Sequence, residues 1–256
     1  MKKIGIIFAM KEELKETKKI FKNFIEHSVY ELKIFECRYN DNITCFLVES
    51  GIGKVNAARS TQILIDIMHV DYVLNVGVAG SVSKDINICD IVVANKLVQH
   101  DFDFTAFGRE KGEIPNTGKY IKCNSELINI AKSIKIDTKV EFGVISSGDI
   151  FVSNKGMGEK INYKFGALCT EMEGAAVAQV CHLCNVPFLV IRAISDSPYE
   201  KNNHITFEQF LKLSSNMISK FIVQFLKKWG CKNAKRGHLQ KGDTYLMQKG
   251  DTYLMT

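Results

Sequence analysis

A single-domain α/β fold, with a central mixed and largely parallel sheet flanked by helices, is what this sequence predicts, on three observations. Apolar runs rich in Val and Ile alternate with runs of helical period. The apolar runs are unbroken, as strands buried on both faces need to be, and several end in Gly or Ser, where a chain turns. In chain order, IGIIFA (4–9) is the first strand and KEELKETKKIF (11–21) the helix after it. ITCFLVES (43–50) is a strand that feeds the helix KVNAARSTQILIDIM (54–68), and YVLNVGVAG (72–80) and DIVVANKLV (90–98) are the next two strands. SELINIAKSI (125–134) is a helix, KVEFGVISS (139–147) a strand, and MEGAAVAQVCHLC (172–184) a small-residued helix. PFLVIRAIS (187–195) is the last strand and FEQFLKLSSNMISKFIVQFLKKW (207–229) the closing helix.

With 256 residues, 46% of them hydrophobic, the chain can bury one substantial core, and residues 1–230 are read as that domain. Residues 231–256 are read as an appended, mobile tail, because KGDTYLM occurs at 241–247 and again at 249–255. Two copies of so short a unit cannot stack into a solenoid, so the tail is set apart from the functional argument. It also carries five of the basic residues and two of the acidic ones, and without it 29 basic face 26 acidic. With no basic stripe interleaved with aromatics, nucleic acid is not an expected partner. No apolar run reaches about 18 residues, so no membrane-spanning helix is expected. The start, MKKIGIIFAMKEELKE, turns charged right after Met10, which reads as a first strand of a cytoplasmic protein and not as a signal peptide. Eight cysteines spread along the chain read as reduced thiols, and the lone Cys181-His182-Leu183-Cys184 pair lies in a helical pattern without a second pair at zinc spacing.

In parallel α/β sheets ligands sit beyond the carboxyl ends of the strands, and the unusual residues fall there. Met10 to Glu13 follow the first strand, SGIG (50–53) another, GVAG (77–80) ends one, SGDIF (147–151) follows one, and Ser195-Asp196 end the last. SGIGKVNAA invites a dinucleotide-binding reading, yet Asn56 stands where that fingerprint wants Gly or Ala, and a glycine turn with backbone room explains it as well. No phosphate-binding P-loop, HExxH, GxSxG or EF-hand loop occurs, so neither a metal nor an organic cofactor is expected.

Three isolated acids, Glu13, Glu173 and Asp196, stand at this rim. Each has an ordinary explanation: Glu13 can complement a helix dipole, Glu171 or Glu173 can cap the helix after them, and Asp196 can form a turn before Pro198. Jointly they are the set that glycosidic cleavage needs: an acid for the leaving group, a base for water, and a carboxylate for a vicinal diol beside a developing cation.

The ordered motifs IGIIFAMKEEL, SGIGKVNAA, VGVAGS, HDFDFTAFG, SGDIFV, EMEGAAVAQVC and VPFLVIRAISDSP, from about residue 3 to residue 229, resemble those of the 5′-methylthioadenosine/S-adenosylhomocysteine nucleosidases, within the nucleoside phosphorylase superfamily. The resemblance implies a nucleoside phosphorylase-like fold and a homodimeric hydrolase in methionine salvage. It would cleave 5′-thio-substituted adenosines, and 5′-deoxyadenosine, to adenine and a 5-substituted ribose. It implies that Glu13 activates water, Asp196 protonates adenine N7 with help from Ser195, and Glu173 binds the ribose 2′ and 3′ hydroxyls beside Met172. Gly80 and Val152 match substrate contacts, Phe151 a base-stacking position, and Arg192 a brace for the acids. Met10, Ile52, Phe104 and Phe207 match the apolar lining near the sugar and thioether, while Phe107 and Pro115 match positions that the family supplies from the second subunit. Val78 departs from the family's usual Ser, and Phe8 from a usual small residue. Glu171 has no role readable here beyond a structural hydrogen bond at the helix start.

Three other readings remain open. A phosphorylase would use phosphate in place of water, but a phosphate site wants arginines where the glycine loops here carry lysines. A nucleoside-binding protein without catalysis has no use for all three acids, and a nicotinamide-dependent oxidoreductase rests on SGIGKV alone.

Overall fold

The computed structural model describes residues 1–197 and 207–237, the last stretch with side chains over 209–230. Strand β1 (Lys2–Phe8) leads into helix α1 (Lys11–Lys18), and β2 (Ile25–Val29) and β3 (Leu32–Asn40) form a hairpin ahead of β4 (Ile43–Glu49) and helix α2 (Lys54–Asp66). Then come β5 (Tyr72–Ser81), β6 (Ile91–Gln99), a single 3-10 turn (Thr105–Phe107), β7 (Ile121–Lys122) and α3 (Ser125–Lys132). The chain continues through β8 (Val140–Ser147), α4 (Lys155–Phe165), β9 (Ala167–Glu171), α5 (Gly174–Leu183), β10 (Phe188–Asp196) and α6 (Phe207–Gly237).

Each predicted run forms the expected element. Five further elements escaped the apolar-run criterion. The β2–β3 hairpin lies at the sheet edge with one face wet, so its sequence is mixed: β2 reads IEHSV, half exposed along its length. β7 and β9 are short, and α4, KGMGEKINYKF, carries two glycines that dilute its helical period. The end of α6 reaches Gly237, inside the segment expected to be tail, while residues 238–256, with both KGDTYLM copies, lie outside the described residues.

The sheet runs β10-β6-β8-β9-β5-β1-β4-β3-β2, with β7 on β6, and an additional β10–β5 pairing closes β5, β10, β6, β8 and β9 into a ring. Within it are two parallel sets. β4, β1, β5 and β10 form one, β6, β8 and β9 the other, and the sets meet antiparallel at β10–β6 and β5–β9. The β5–β9 junction is short: Gly80 pairs with Thr170 and Ser81 with Cys169. Two strand tips therefore meet carboxyl end to carboxyl end, so residues that follow strands of both sets converge on one place. A single parallel rim, as the sequence suggested, is replaced by this meeting of two.

The core is continuous on both faces of the β1–β5–β10 strands. Phe221, Phe225 and Trp229 of α6 are fully buried there, with Trp229 edge-on to Tyr72 at 4.7 Å. On α5, Ala175, Ala176 and Ala178 are buried, and their small size lets the helix lie close to the sheet and to α2. The described cysteines are free. No described helix is long and apolar enough to cross a membrane.

Candidate active site

At the meeting of the strand tips lies a cavity of about 260 Å³. Its walls are Met10, Ile52, Val78, Ile150, Phe151, Val152 and Met172, and Glu13, Glu173 and Asp196 enter it from three different elements, with Ser195 beside the last. Among the described lining residues there is no Lys, Arg or His.

Glu13 sits at the third position of α1, buried to 1% exposure. One carboxylate oxygen accepts the N–H groups of Ala9 and Met10, each at 3.0 Å, and so closes the open end of the helix. The other oxygen accepts the N–H of Val78 on β5 at 2.9 Å. Both the helix-start reading and the cavity reading of this residue are therefore met in one side chain. Gly77 makes room for it, since a Cβ there would lie 2.6 Å from Glu13 Oε1. Burial pushes the carboxyl above its ordinary range, against the pull of Arg192 and of the three N–H donors.

Asp196 ends β10, where the register against β5 shifts between Ile194 and Asp196. Such a bulge re-aims the side chain at a strand tip, here into the cavity. Ser195 Oγ donates to Asp196 Oδ1 at 2.7 Å, and burial raises the Asp196 carboxyl while that bond partly offsets the rise. Gly80 again leaves the space: a Cβ on it would stand 2.8 Å from Asp196 Oδ2. Glu13 and Asp196 thus flank β5 three residues apart, roughly 10 Å along a strand.

Glu173 stands at the N-cap position of α5 without capping it through its side chain, and is 5% exposed. Its Oε1 accepts the Gly53 N–H at 2.8 Å, from the SGIG turn after β4. Burial, and next the charge of Glu171, push its carboxyl up to about 7. Glu171 also borders the cavity, but its carboxylate is taken up by protein partners. It is ion-paired with Arg192, takes the hydroxyl of Ser147, and accepts the N–H groups of Glu173 at 3.1 Å and Gly174 at 2.7 Å. Arg192, 1% exposed on β10, bonds also to the backbone and side chain of Asn75. Burial disfavours its charge, but Glu171, Glu173 and Glu13 outweigh this and keep it ionised.

Ten of the catalytic and substrate-binding residues expected from the sequence line the cavity, namely Glu13, Asp196, Glu173, Gly80, Phe151, Val152, Met172, Ser195, Met10 and Ile52, and Glu171 and Val78 border it too. Arg192 lies behind the wall, so its bracing works through Glu171 and through its field. Phe104 is not in the wall of this chain's cavity; the loop after β6 carries it away, and its ring stacks on Phe107 at 4.4 Å. Phe107, 73% exposed, and Pro115 also lie outside the wall, and the Phe207 side chain lies outside the described residues. Asn75, Ser147 and the N–H groups of Gly53 and Val78 were missed. Asn75 alone had a signal, as a polar residue in the apolar strand YVLNVGVAG. Of the two sequence departures, Val78 is in the cavity wall and Phe8 is fully buried in the core. No group of three or more His, Cys, Asp or Glu among the described residues is placed to hold a metal ion.

An apolar-walled cavity with acids at separated points can exchange protons with an uncharged ligand and favours positive charge developing between them. Comparisons with known proteins agree in kind. The sequence profile of the Phosphorylase superfamily matches residues 3–227. The 5′-methylthioadenosine/S-adenosylhomocysteine nucleosidase of Geobacillus sp. (strain WCH70) is 40% identical over 233 residues, covering 88% of this chain and 97% of that one. Among solved structures, the S. pneumoniae 5′-methylthioadenosine/S-adenosylhomocysteine nucleosidase with a transition-state inhibitor superposes with a TM-score of 0.82 at 36% identity, covering 89% and 99% of the two chains. A futalosine hydrolase of Helicobacter pylori gives 0.83 at 36% identity, over 89% and 98%.

Proposed function

The chain belongs to the phosphorylase superfamily, among its 5′-methylthioadenosine/S-adenosylhomocysteine nucleosidases, and from that premise we propose how its cavity does their work. The protein is an N-glycosyl hydrolase that releases adenine from methylthioadenosine and S-adenosylhomocysteine, leaving the 5-thio-substituted ribose. The observation that carries the mechanism is the convergence of Glu13, Glu173 and Asp196 on one apolar cavity without a cation in its described lining. A phosphate dianion would meet three carboxylates and no clamp there, whereas water is admitted without that cost.

In this reading Asp196, whose carboxyl burial raises and so makes easier to protonate, gives a proton to N7 of adenine, and the N-glycosidic electron pair leaves with the base. Glu173 accepts hydrogen bonds from the ribose 2′ and 3′ hydroxyls, and its charge favours the oxocarbenium ion as it forms. Water adds to C1′ and passes a proton to Glu13, whose N–H donors hold it in place and whose burial makes it the more basic. Ser195 orients Asp196, and Arg192 holds Glu171 and, by its field, the other acids. Gly80, Val152 and Met172 contact the nucleoside, Phe151 stacks on the base, and Met10 and Ile52 take the thioether end with Phe104 and Phe207.

A homodimer fits this chain: Ile52, Ile150 and Phe151 at the cavity mouth are 54%, 45% and 64% exposed, an apolar rim that a second copy would cover with its own Phe107 and Pro115. The cytoplasm is the compartment proposed, and 5′-deoxyadenosine a further substrate. Adenine release from methylthioadenosine, S-adenosylhomocysteine, 5′-deoxyadenosine and a futalosine-type nucleoside, measured with and without phosphate, tests the reading. Phosphate-independent release is expected. Glu13→Gln is expected to slow turnover by about 100-fold or more while an uncleavable analogue still binds. Formation of a sugar 1-phosphate that stops when phosphate is removed would overturn it.

A further inference from the structure

Two loops wall the cavity on one side, Gly51–Gly53 between β4 and α2 and Gly148–Val152 after β8, and they are joined by a closed ring of three residues that includes Lys54 at the start of α2. The Lys54 backbone N–H donates to Asp149 Oδ1 at 2.8 Å. The Asp149 backbone N–H donates to Asp101 Oδ2 at 2.9 Å. Lys54 Nζ donates to the other oxygen, Asp101 Oδ1, at 2.8 Å and completes the circuit. The Lys54–Asp101 pair is only 18% and 16% exposed, so water screens it less than a surface pair. Lys54 Nζ reaches Gln99 Oε1 too, at 3.0 Å, and Gln99 is tied to Gln179 on α5 at 2.7 Å. Asp101 itself follows β6, so the ring binds segments that follow three different strands.

The residue before Lys54 is Gly53, whose N–H is the donor to Glu173 from outside its own segment. The residues after Asp149 are Ile150, Phe151 and Val152, all in the cavity wall. Resting on the nucleosidase reading above, we propose that the Lys54–Asp101–Asp149 ring is a positioning device for the reaction, with Asp101 its keystone. It clamps the two loops in one register, aims the Gly53 N–H at the diol-binding Glu173, and sets the base-stacking Phe151 at the distance the substrate needs.

The electrostatics agree with that geometry. Burial alone would raise the Asp101 carboxyl, but the Lys54 ammonium and the Asp149 N–H hold it below its ordinary range, with His100 adding in the same direction. The ring therefore stays charged wherever the acids of the cavity titrate. Glu173 is faced by Glu171 from its own segment, by Arg192 from β10 and by Glu13 from α1; the Gly53 N–H opposes the effect of its burial. Loss of that donor raises the Glu173 carboxyl further.

The test uses the full chain and three variants: Asp101→Asn, which keeps the shape and removes the charge; Lys54→Met, which breaks the same pair from the other side; and Lys54→Arg, which keeps the charge. Two readouts are taken, solvent exchange and pH titration of the Gly53 amide by NMR in the ligand-free protein, and steady-state hydrolysis of methylthioadenosine. Asp101→Asn and Lys54→Met are each expected to speed Gly53 exchange about tenfold and to raise KM about tenfold with little change in kcat, the size of one charged hydrogen bond. The acid limb of kcat/KM moves to higher pH in both, and Lys54→Arg restores most of the loss. A role confined to stability would lower the melting temperature and leave KM, the acid limb and Gly53 unmoved, which overturns the proposal. Failure of both ring-breaking variants to fold also overturns it, in favour of a purely structural ring. If the parent releases no adenine, the proposed function falls, and Gly53 exchange still decides whether the ring positions that turn.

Discussion

Glu171 and Glu173 stand two residues apart at the start of one helix, both nearly buried, and meet opposite fates. Glu171 is saturated from within: the Arg192 guanidinium, the Ser147 hydroxyl and two backbone N–H groups take up its oxygens. Glu173 has the Gly53 N–H, a long contact of 3.3 Å to its neighbour Met172, and a face open to the cavity. A buried carboxylate is tolerated when its lone pairs are occupied and is reactive when they are not. The difference teaches that partner count, rather than depth, separates a structural acid from a binding acid.

The largest test of that contrast is Glu171→Ala. It strands Arg192 as a buried unpaired charge, and unfolding by urea should show a loss of about 3–5 kcal/mol. Should Glu173→Gln cost as much stability, the contrast breaks. Glu173→Gln is instead expected to leave the fold intact and lower kcat/KM by about 100-fold, since the amide puts a donor NH₂ where the carboxylate has a second acceptor oxygen for the diol, and carries no charge.

The pH dependence sharpens the same point. Glu173 keeps its proton in the folded chain up to about 7, against an ordinary value of 4.5. The folded state thus holds more protons than the unfolded one between those values, so the stability Glu173 contributes is complete below 4.5 and is lost as pH rises through about 7. Ligand-free protein should become less stable across that window, and Glu173→Gln should flatten the slope by on the order of 1–3 kcal/mol. Glu13 and Asp196 act in the same sense, so some slope should survive in the variant. The smallest effect expected is that of Ser195→Ala, which removes one donor from Asp196 and should cost about 1 kcal/mol, or about fivefold in turnover, with the Asp196 titration moving upward.

Much of the site was legible because the acids announce themselves. Glu13, Glu173 and Asp196 each stand close to an apolar run, and although each alone has an ordinary explanation, the three together at strand ends have few. The framework behind them was not legible. Ser147 looks like any strand-end hydroxyl, and the Gly53 and Val78 N–H groups have no side chain to mark them. The place of Phe104 was not legible for a related reason: proximity to a motif does not tell which way a loop turns, and its ring stacks on Phe107 outside the wall of this chain's cavity. The β2–β3 hairpin and α4 were overlooked because edge strands and glycine-bearing helices carry weak periodicity.

By itself, then, the sequence determined the alternation of strands and helices, the apolar core, and which acids lie at strand ends, because burial and periodicity are local properties of the residue string. Only the tertiary structure decided that the tips of β5 and β9 meet, that a bulge turns Asp196 inward, and that Glu171 is claimed by Arg192 while Glu173 is left to face the cavity. Those outcomes depend on register and on pairings across the chain, Gly53 with Glu173 and Asn75 with Arg192, which no local pattern encodes.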